Sequence, residues 1–462
     1  MENFKNSDGD RPPSTERRRQ RPFTSVALGA VLRDELFLTP DVDMYVAYSG
    51  GMDSHVLLHA LSALRHGTSW RVTALHIDHG LQPDSAQWSR HGAAVCAALD
   101  LPYRSQRVTV TGVATRGMED AARRARYAAL AAQLPRDAVL LTAHHRDDQA
   151  ETLLLQLLRG AGVAGLAAMP AIVPFAHGRL VRPLLGFERA ALAQYGREHE
   201  LQWIDDPSNF AVEPARNFLR HRIWPLLNAR WPAAVDRVAV TAAHMAEADQ
   251  LLDDLGRMDL AAAADNDGGL RVSALQLLSP QRQSNLLRCW IRGQTGAPPP
   301  QSRLREVLAR VAHTPRSQQA EVAWADIVVR RYRDRLMVFS SPSPVAENWD
   351  LLWDPATVLD IPGAGWRLQA QTAVGAGIAR ERIAGRSVRV RQRRGGERAC
   401  LRGHHHKVKK LLQQAGVPPW ERRHWPLVYI DDELAAIGDR WVCEPYAARA
   451  DEVGWVLHIA RD

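Results

Sequence analysis

Residues 44–64 read MYVAYSGGMDSHVLLHALSAL, and no other stretch constrains the fold as tightly. An apolar run ends at Tyr48, the turn Ser49-Gly50-Gly51-Met52-Asp53-Ser54 follows, and Leu57, Leu61 and Leu64 then recur on one helical stripe. A strand, a glycine turn and a helix aim backbone N–H groups and a helix N-terminus at phosphate. Gly50 and Gly51 let the chain approach an anion closely, and Ser49 and Ser54 add hydroxyl donors. GxxxxGK[ST] occurs nowhere, so this is not a Walker loop. Asp53 repels phosphate unless a cation lies between them, and a magnesium bridge explains its presence.

The chain of 462 residues is too long for one core, and about 150 residues per domain suggests about three domains. Between 23 and 228, strands expected at 44–48, 72–77, 107–110 and 138–143 alternate with helices expected at 54–64, 119–133 and 151–158. That alternation predicts an α/β fold built on a Rossmann-like parallel sheet. A mostly helical middle domain is expected at 229–340, where AVDRVAVTAAHMAEADQLLDDL reads as one long amphipathic helix. SSPSPVAEN, at 340–348, reads as a linker, and a small mixed α/β domain is expected at 349–462. Residues 1–22 read as a disordered tail without the apolar stretch of a signal peptide. Apolar runs such as 153–158 stop far short of a membrane span, so no membrane partner is expected. Cys96, Cys289, Cys400 and Cys443 lie far apart with no CxxC pair, which argues against a zinc site, an iron–sulfur cluster or a disulfide scaffold. They fit the scattered reduced thiols of a cytoplasmic protein.

Net charge is +8, yet residues 380–423 alone hold fourteen Lys/Arg and three Asp/Glu, a net of +11, leaving −3 for the remainder. A polyanion is the natural partner of such a segment, and interleaved aromatic and histidine residues favour nucleic acid over a merely solvated face. Arg393, Arg394, Arg402, Lys407, Lys409 and Lys410 are the candidate contacts. His404, His405 and His406 suggest metal out of context, but neighbours in a regular element cannot all face one ion.

Further motifs follow the loop in order. HIDHGLQPDS occupies 76–85, and Arg123, Arg126 and Tyr127 share a helix face, where the arginines either serve the site or pair with Glu119. His144, Asp147, Asp148 and Glu151 open a helix after the strand expected at 138–143. Asp147 suits a cap, whereas Asp148 and Glu151, at i and i+3, share a face. RPLL at 182–185, DDPSN at 205–209 and RNFLRHRI at 216–223 complete the run. The Ser49–Ser54 turn resembles the PP-loop of the ATP pyrophosphatases. The whole series is similar to the tRNA(Ile)-lysidine synthetase family, as is RRGGERACLRGHHHKVKKLLQQAGVPPWERRHWPL in the C-terminal region. The resemblance covers most of 42–228 and 387–445, and the middle fits by length and helical character.

The resemblance implies a two-step ligation with ATP and Mg2+. ATP adenylylates the 2-oxygen of the first anticodon cytidine of an isoleucine tRNA with a CAU anticodon, and the side-chain amine of free lysine then displaces AMP. It assigns ATP to Ser49, Gly50, Gly51, Met52, Asp53 and Ser54, magnesium to Asp53, and catalysis to Asp53, His144, Asp148 and Glu151. Lysine falls to Asp148 and Glu151, and tRNA to Arg216, Arg220 and the six C-terminal cations. The attacking amine must be neutral, which at a pKa of ~10.4 costs roughly 4–5 kcal/mol at pH 7. Asp148 and Glu151 therefore act first by positioning it and second as base, and His144 suits proton movement or polarising the cytidine. A tRNA thiolase with the same loop is the nearest alternative, but such enzymes generally carry paired cysteines, which this chain lacks. A non-catalytic RNA-binding protein is the other, and the intact SGGMDS loop argues against it.

Overall fold

The structure, a computed structural model, describes residues 22–65, 67–80, 85–111, 117–206, 214–312, 320–340, 348–362 and 365–461. Nearly all of the expected tail, the middle of HGLQPDS, most of DDPSN and most of the expected linker lie outside the described residues. The chain divides into two compact units, Met1–Leu251 and Leu252–Asp462. The helix Ala234–Ala263, eight residues longer than the expected one, runs across that division.

The first unit is built on β1 (Asp43–Ala47), β2 (Arg71–Asp78), β3 (Tyr103–Arg107), β4 (Val139–Leu141), β5 (Ile172–Phe175) and β6 (Gly178–Val181). Their order is β3-β2-β1-β4-β6-β5, parallel throughout except for β5, which pairs antiparallel with β6. Alternation along the central strands explains the two-sided sheet. Met44 and Val46 of β1, with Val139 and Leu141 of β4, enter one core with Val56, Leu57, Leu61 and Leu192. Tyr45 and Leu140 point the other way, against Leu130 and Leu134. A sheet buried on both faces needs helices on both, as parallel order requires.

The third strand corrects the expectation of 107–110. It lies at Tyr103–Arg107, pairs with β2 from Ala74↔Tyr103 to Asp78↔Arg107, and exposes four of its five residues. An edge strand reading YRSQR buries too little to carry an apolar alternation, so the more apolar RVTV drew the assignment.

In the second unit the helical middle also carries a four-stranded antiparallel sheet of Leu270–Arg271, Arg335–Ser340, Ile327–Tyr332 and Ala320–Trp324. The helix Pro280–Thr295 supplies Leu286, Leu287, Trp290 and Ile291 to its core. The C-terminal part has a five-stranded and a four-stranded sheet around Trp349, Trp353, Trp366 and Trp425, with the hairpin Arg398–Leu401/His404–Lys407 beside them. Among the described residues no helix is long and apolar enough to cross a membrane.

Candidate active site

β1 and β4 are neighbours, but the chain leaves β1 for β2 on one side and reaches β4 on the other. A reversal of strand order of this kind opens a crevice at the carboxyl ends of the two strands, and both motif loops emerge there.

The loop after β1 is closed by its own serines. The Ser54 hydroxyl donates to the Gly51 carbonyl at 3.0 Å, accepts from the Ser49 N–H at 3.2 Å and lies 3.1 Å from the Ser49 hydroxyl. Ser54 is buried, whereas Ser49 is exposed and accepts from the Gly51 N–H at 3.4 Å. Gly50 has φ +85°, where a Cβ would be strained, and its carbonyl accepts from the Ile204 N–H at 3.0 Å. Met52 and Asp53 open the helix Met52–Arg65, Met52 buried against the core. Asp53 Oδ2 lies 3.7 Å from His145 Nε2, and its Oδ1 is buried with no hydrogen-bond partner. A buried carboxylate oxygen without a partner is costly, and a hard divalent cation is a fitting partner for it. The residues present therefore fit magnesium at this oxygen.

The loop after β4 leads into the helix Arg146–Leu158, which begins five residues before the expected start. His145 is its N-cap, and the His145 N–H donates to Asp148 Oδ2 at 3.0 Å. The buried His145 ring stands among three carboxylates. Its Nε2 is 3.4 Å from Asp148 Oδ2 as well as 3.7 Å from Asp53, and its Nδ1 is 3.6 Å from Asp147 Oδ2. Burial works against charge on this ring, but Asp148, Asp53 and Asp147 outweigh it and raise the pKa. Sequence reasoning missed His145, which joins the two loops. The available signal was the HH pair at a strand–helix junction, where adjacent side chains diverge and one of the two turns inward.

His144 lies 2.9 Å, Nδ1 to Oγ1, from Thr142. Burial pushes its pKa down to about 4; Asp148 opposes this, while Arg182, Arg216 and Arg123 reinforce it. At neutral pH the ring is uncharged. Arg123 and Arg126 stack over the Tyr127 ring, 5.1 and 5.7 Å from its centroid.

Asp148 and Glu151 face Arg220 together. Arg220 donates from Nε to Glu151 Oε1 at 2.8 Å and from Nη2 to Glu151 Oε2 at 2.9 Å and Asp148 Oδ1 at 3.2 Å. Arg216 Nε lies 3.5 Å from Glu151 Oε2, and its Nη2 donates to Thr152 at 2.9 Å. Arg220 sits in the π-helical turn Leu219–Ile223, an irregularity that often marks functional sites. Burial raises the Glu151 pKa although Arg220 opposes it. For Asp148, burial is outweighed by His145, His144 and Arg220, and its pKa is held down.

The basic segment belongs to the second unit, and much of its charge is neutralised within the fold. Arg382 pairs with Glu452, Arg386 with Asp431, Arg389 with Asp350, and Arg391 with Asp350 and Asp432. Arg393 lies 3.4 Å from Glu397 and donates to the Arg422 carbonyl at 3.3 Å. Arg394, Arg402, Lys407, Lys409 and Lys410 are exposed and form no salt bridge among the described residues. Arg402 and Lys407 lie on the hairpin, Lys409 and Lys410 on the helix Val408–Gln414, and Arg394 in the segment that leads into the hairpin. His404, His405 and His406 are exposed on a strand, and no group of three or more metal-ligating side chains occurs among the described residues.

The family model of a PP-loop domain matches residues 27–227, that of a TilS substrate binding domain 270–337, and that of a TilS substrate C-terminal domain 388–459. The tRNA(Ile)-lysidine synthase of Methylococcus capsulatus is 42% identical over 433 residues, covering 91% of this chain and 97% of its own. That of Alkalilimnicola ehrlichii is 43% identical over 434 residues, covering 93% and 96%. That of Coxiella burnetii is 38% identical over 424 residues, covering 91% and 94%. Similarity of this extent, running through all three matched domains, shows that the chain belongs to the tRNA(Ile)-lysidine synthase family.

Proposed function

We propose that this chain ligates free lysine to the 2-carbon of the first anticodon cytidine of a CAU-anticodon isoleucine tRNA, converting ATP to AMP and pyrophosphate. The observation that carries the reading is that Asp53 of the phosphate loop and Asp148 meet across His145, with Glu151 joined to Asp148 through Arg220.

Backbone donors of the Ser49–Ser54 loop hold the phosphates of ATP. Magnesium bound at Asp53 would neutralise phosphate charge as pyrophosphate leaves. The cytidine 2-oxygen forms the bond to the α-phosphorus, and the bond to the β-phosphate oxygen breaks. The lysine amine then bonds to the 2-carbon, and AMP departs with the oxygen it had captured. The two carboxylates are built to hold a cation, and Arg220 is the one they hold in this structure. The lysine ammonium takes over that position, and Arg216 and Arg220, so displaced, become available to tRNA phosphates. Glu151, its pKa raised by burial, is the better acceptor for the proton that the amine loses. His144 is neutral and suits a hydrogen bond to the cytidine better than carrying a proton. Arg394, Arg402, Lys407, Lys409 and Lys410 contact the tRNA backbone, whereas Arg393, expected with them, is held by Glu397 and the Arg422 carbonyl.

Incubation with ATP, radiolabelled lysine and separate tRNA species tests the reading. Label retained in the CAU isoleucine tRNA, with an equal yield of pyrophosphate, is expected. Label absent from that tRNA overturns it.

A further inference from the structure

Residues 214–235 hold four arginines, Arg216, Arg220, Arg222 and Arg230, and no Asp or Glu. Arg216 and Arg220 turn inward to Glu151. Trp224 is also turned inward, 6% exposed, and packs with Leu219 and Ala150. The opposite face is uncovered. Arg222, Leu226 and Arg230, at i, i+4 and i+8, follow one line along the π turn and the helix Trp224–Arg230. Arg222 and Arg230 are exposed, and Leu226 is 70% exposed. At the end of that line Trp231, 58% exposed, closes the helix, and the Arg230 guanidinium lies 5.6 Å over its ring.

Tryptophan is seldom left this open on a soluble protein, because its ring carries a large apolar surface. A flat aromatic face beside guanidinium groups matches single-stranded nucleic acid: bases stack on the ring and phosphates meet the cations, and Asp236, the acid that follows in sequence, is paired with Arg146. A second protein copy would have to bring acidic side chains to the rim and an apolar one to the ring, whereas unpaired RNA carries a phosphate and a base at every nucleotide.

We propose that Arg222, Leu226, Arg230 and Trp231 form a stacking platform for unpaired nucleotides of the substrate tRNA. The proposal rests on the tRNA-ligase reading above and adds a contact surface to it. The platform lies on the same helical run that carries Arg220 to the carboxylates, so it would hold RNA in register with the site. Trp231 would act by binding, and it takes no part in bond making.

The test measures equilibrium binding of unmodified CAU isoleucine tRNA across a salt series, with ATP binding and thermal denaturation as controls. Wild-type binding and lysine transfer establish the ligase reading first; if both are absent, that reading fails before the platform is reached. Trp231→Ala is expected to raise the tRNA Kd about 5- to 100-fold, the range for loss of one base stack, with an unchanged salt slope. Trp231→Phe should restore affinity to within about threefold, since any aromatic face stacks. The double variant Arg222→Gln/Arg230→Gln should flatten the log–log salt slope by about 1.4–1.8. ATP affinity and the denaturation midpoint should hold in every variant. Wild-type tRNA affinity in Trp231→Ala overturns the platform. So does a loss of self-association with tRNA affinity unchanged, which would assign the face to a second copy.

Discussion

Arg220 closes on Glu151 with one edge of its guanidinium, Nε and Nη2 standing 2.8 and 2.9 Å from the two carboxylate oxygens, and Nη2 also reaches Asp148. Bidentate pairing of this kind is strong and directional. It also means that two carboxylates at 11% exposure or less have a counter-ion before any lysine arrives. Arg220→Ala removes the principal counter-ion. We expect a loss of roughly 2–4 kcal/mol of stability, below the full figure for a broken buried pair because Arg216 remains and Arg220 is 28% exposed. Free lysine should then raise the denaturation midpoint of Arg220→Ala by more than it raises the wild type's. Equal shifts in the two proteins would detach lysine from these carboxylates. Arg220→Lys restores the charge without the planar fork and should fall between them.

Asp53 offers one oxygen to His145 and leaves the other buried without a partner. Asp53→Ala should preserve the denaturation midpoint to within a few degrees, because the side chain stands in the first turn of its helix, outside the apolar core. Pyrophosphate release should drop by about 100- to 1,000-fold, the usual loss when a group that stabilises developing charge is removed. Equilibrium dialysis gives a second reading independent of turnover: magnesium should tighten ATP binding to the wild type and hardly at all to Asp53→Ala. The same magnesium effect in both proteins would refute Asp53 as the holder of the ion.

His144 gives the site a pH signature. Its folded pKa of about 4 lies below the ordinary value of 6.5, so between those limits the unfolded chain binds a proton that the folded chain refuses. Its contribution to stability is complete above pH 6.5 and is lost as pH falls toward 4, to a total of up to about 3 kcal/mol. His145 has the opposite sign: its raised pKa contributes stability at low pH that is lost as pH rises through the folded value. Denaturant titrations from pH 4.5 to 8 on wild type and His144→Gln separate the two. The variant should lose less stability on acidification, and identical curves would remove His144 as the source. The activity profile of the wild type should show no inflection from His144 near pH 6.5.

What could be read from sequence divides by range. The Ser49–Ser54 turn was legible because two glycines, an apolar strand and a leucine stripe are local, and local pattern decides local conformation. The crevice was legible once the strands were, since a doubly wound parallel sheet opens at the carboxyl ends of its strands. The Arg220–Glu151 pair was not, because 69 residues separate its members and no spacing rule spans such a distance. Arg216 and Arg220 looked like free cations for that reason. His145 was overlooked because HH presents two equal residues, and only packing shows which ring is enclosed. The sheet in the helical middle escaped because Ile327–Tyr332 alternates over only six residues, with arginines at two positions of the strand. One of these, Arg331, is buried, donating to the carbonyls of Val311 and Ala312.

The basic segment carries the last prediction. Several of its arginines are committed to ion pairs with Asp350, Asp431, Asp432 and Glu452 inside the second unit, so its net charge of +11 overstates what RNA can meet. Lys407, Lys409 and Lys410 are exposed without such pairs among the described residues. Each phosphate contact releases condensed counterions, and each lost contact should lower the log–log salt slope by about 0.7–0.9. The triple variant Lys407→Gln/Lys409→Gln/Lys410→Gln should therefore bind tRNA weakly, with a slope flatter by about 2–3, while ATP affinity and the denaturation midpoint stay at wild-type values. Preference among tRNA species should survive, because backbone contacts position the RNA and base contacts specify it. The control is Arg389→Gln, whose guanidinium already belongs to Asp350. It should cost stability through the broken pair and leave the slope nearly unchanged. A wild-type slope in the triple variant would make these lysines a solvated face of the C-terminal fold, and the ligase reading would then stand on the Asp53, His145, Asp148 and Glu151 constellation alone.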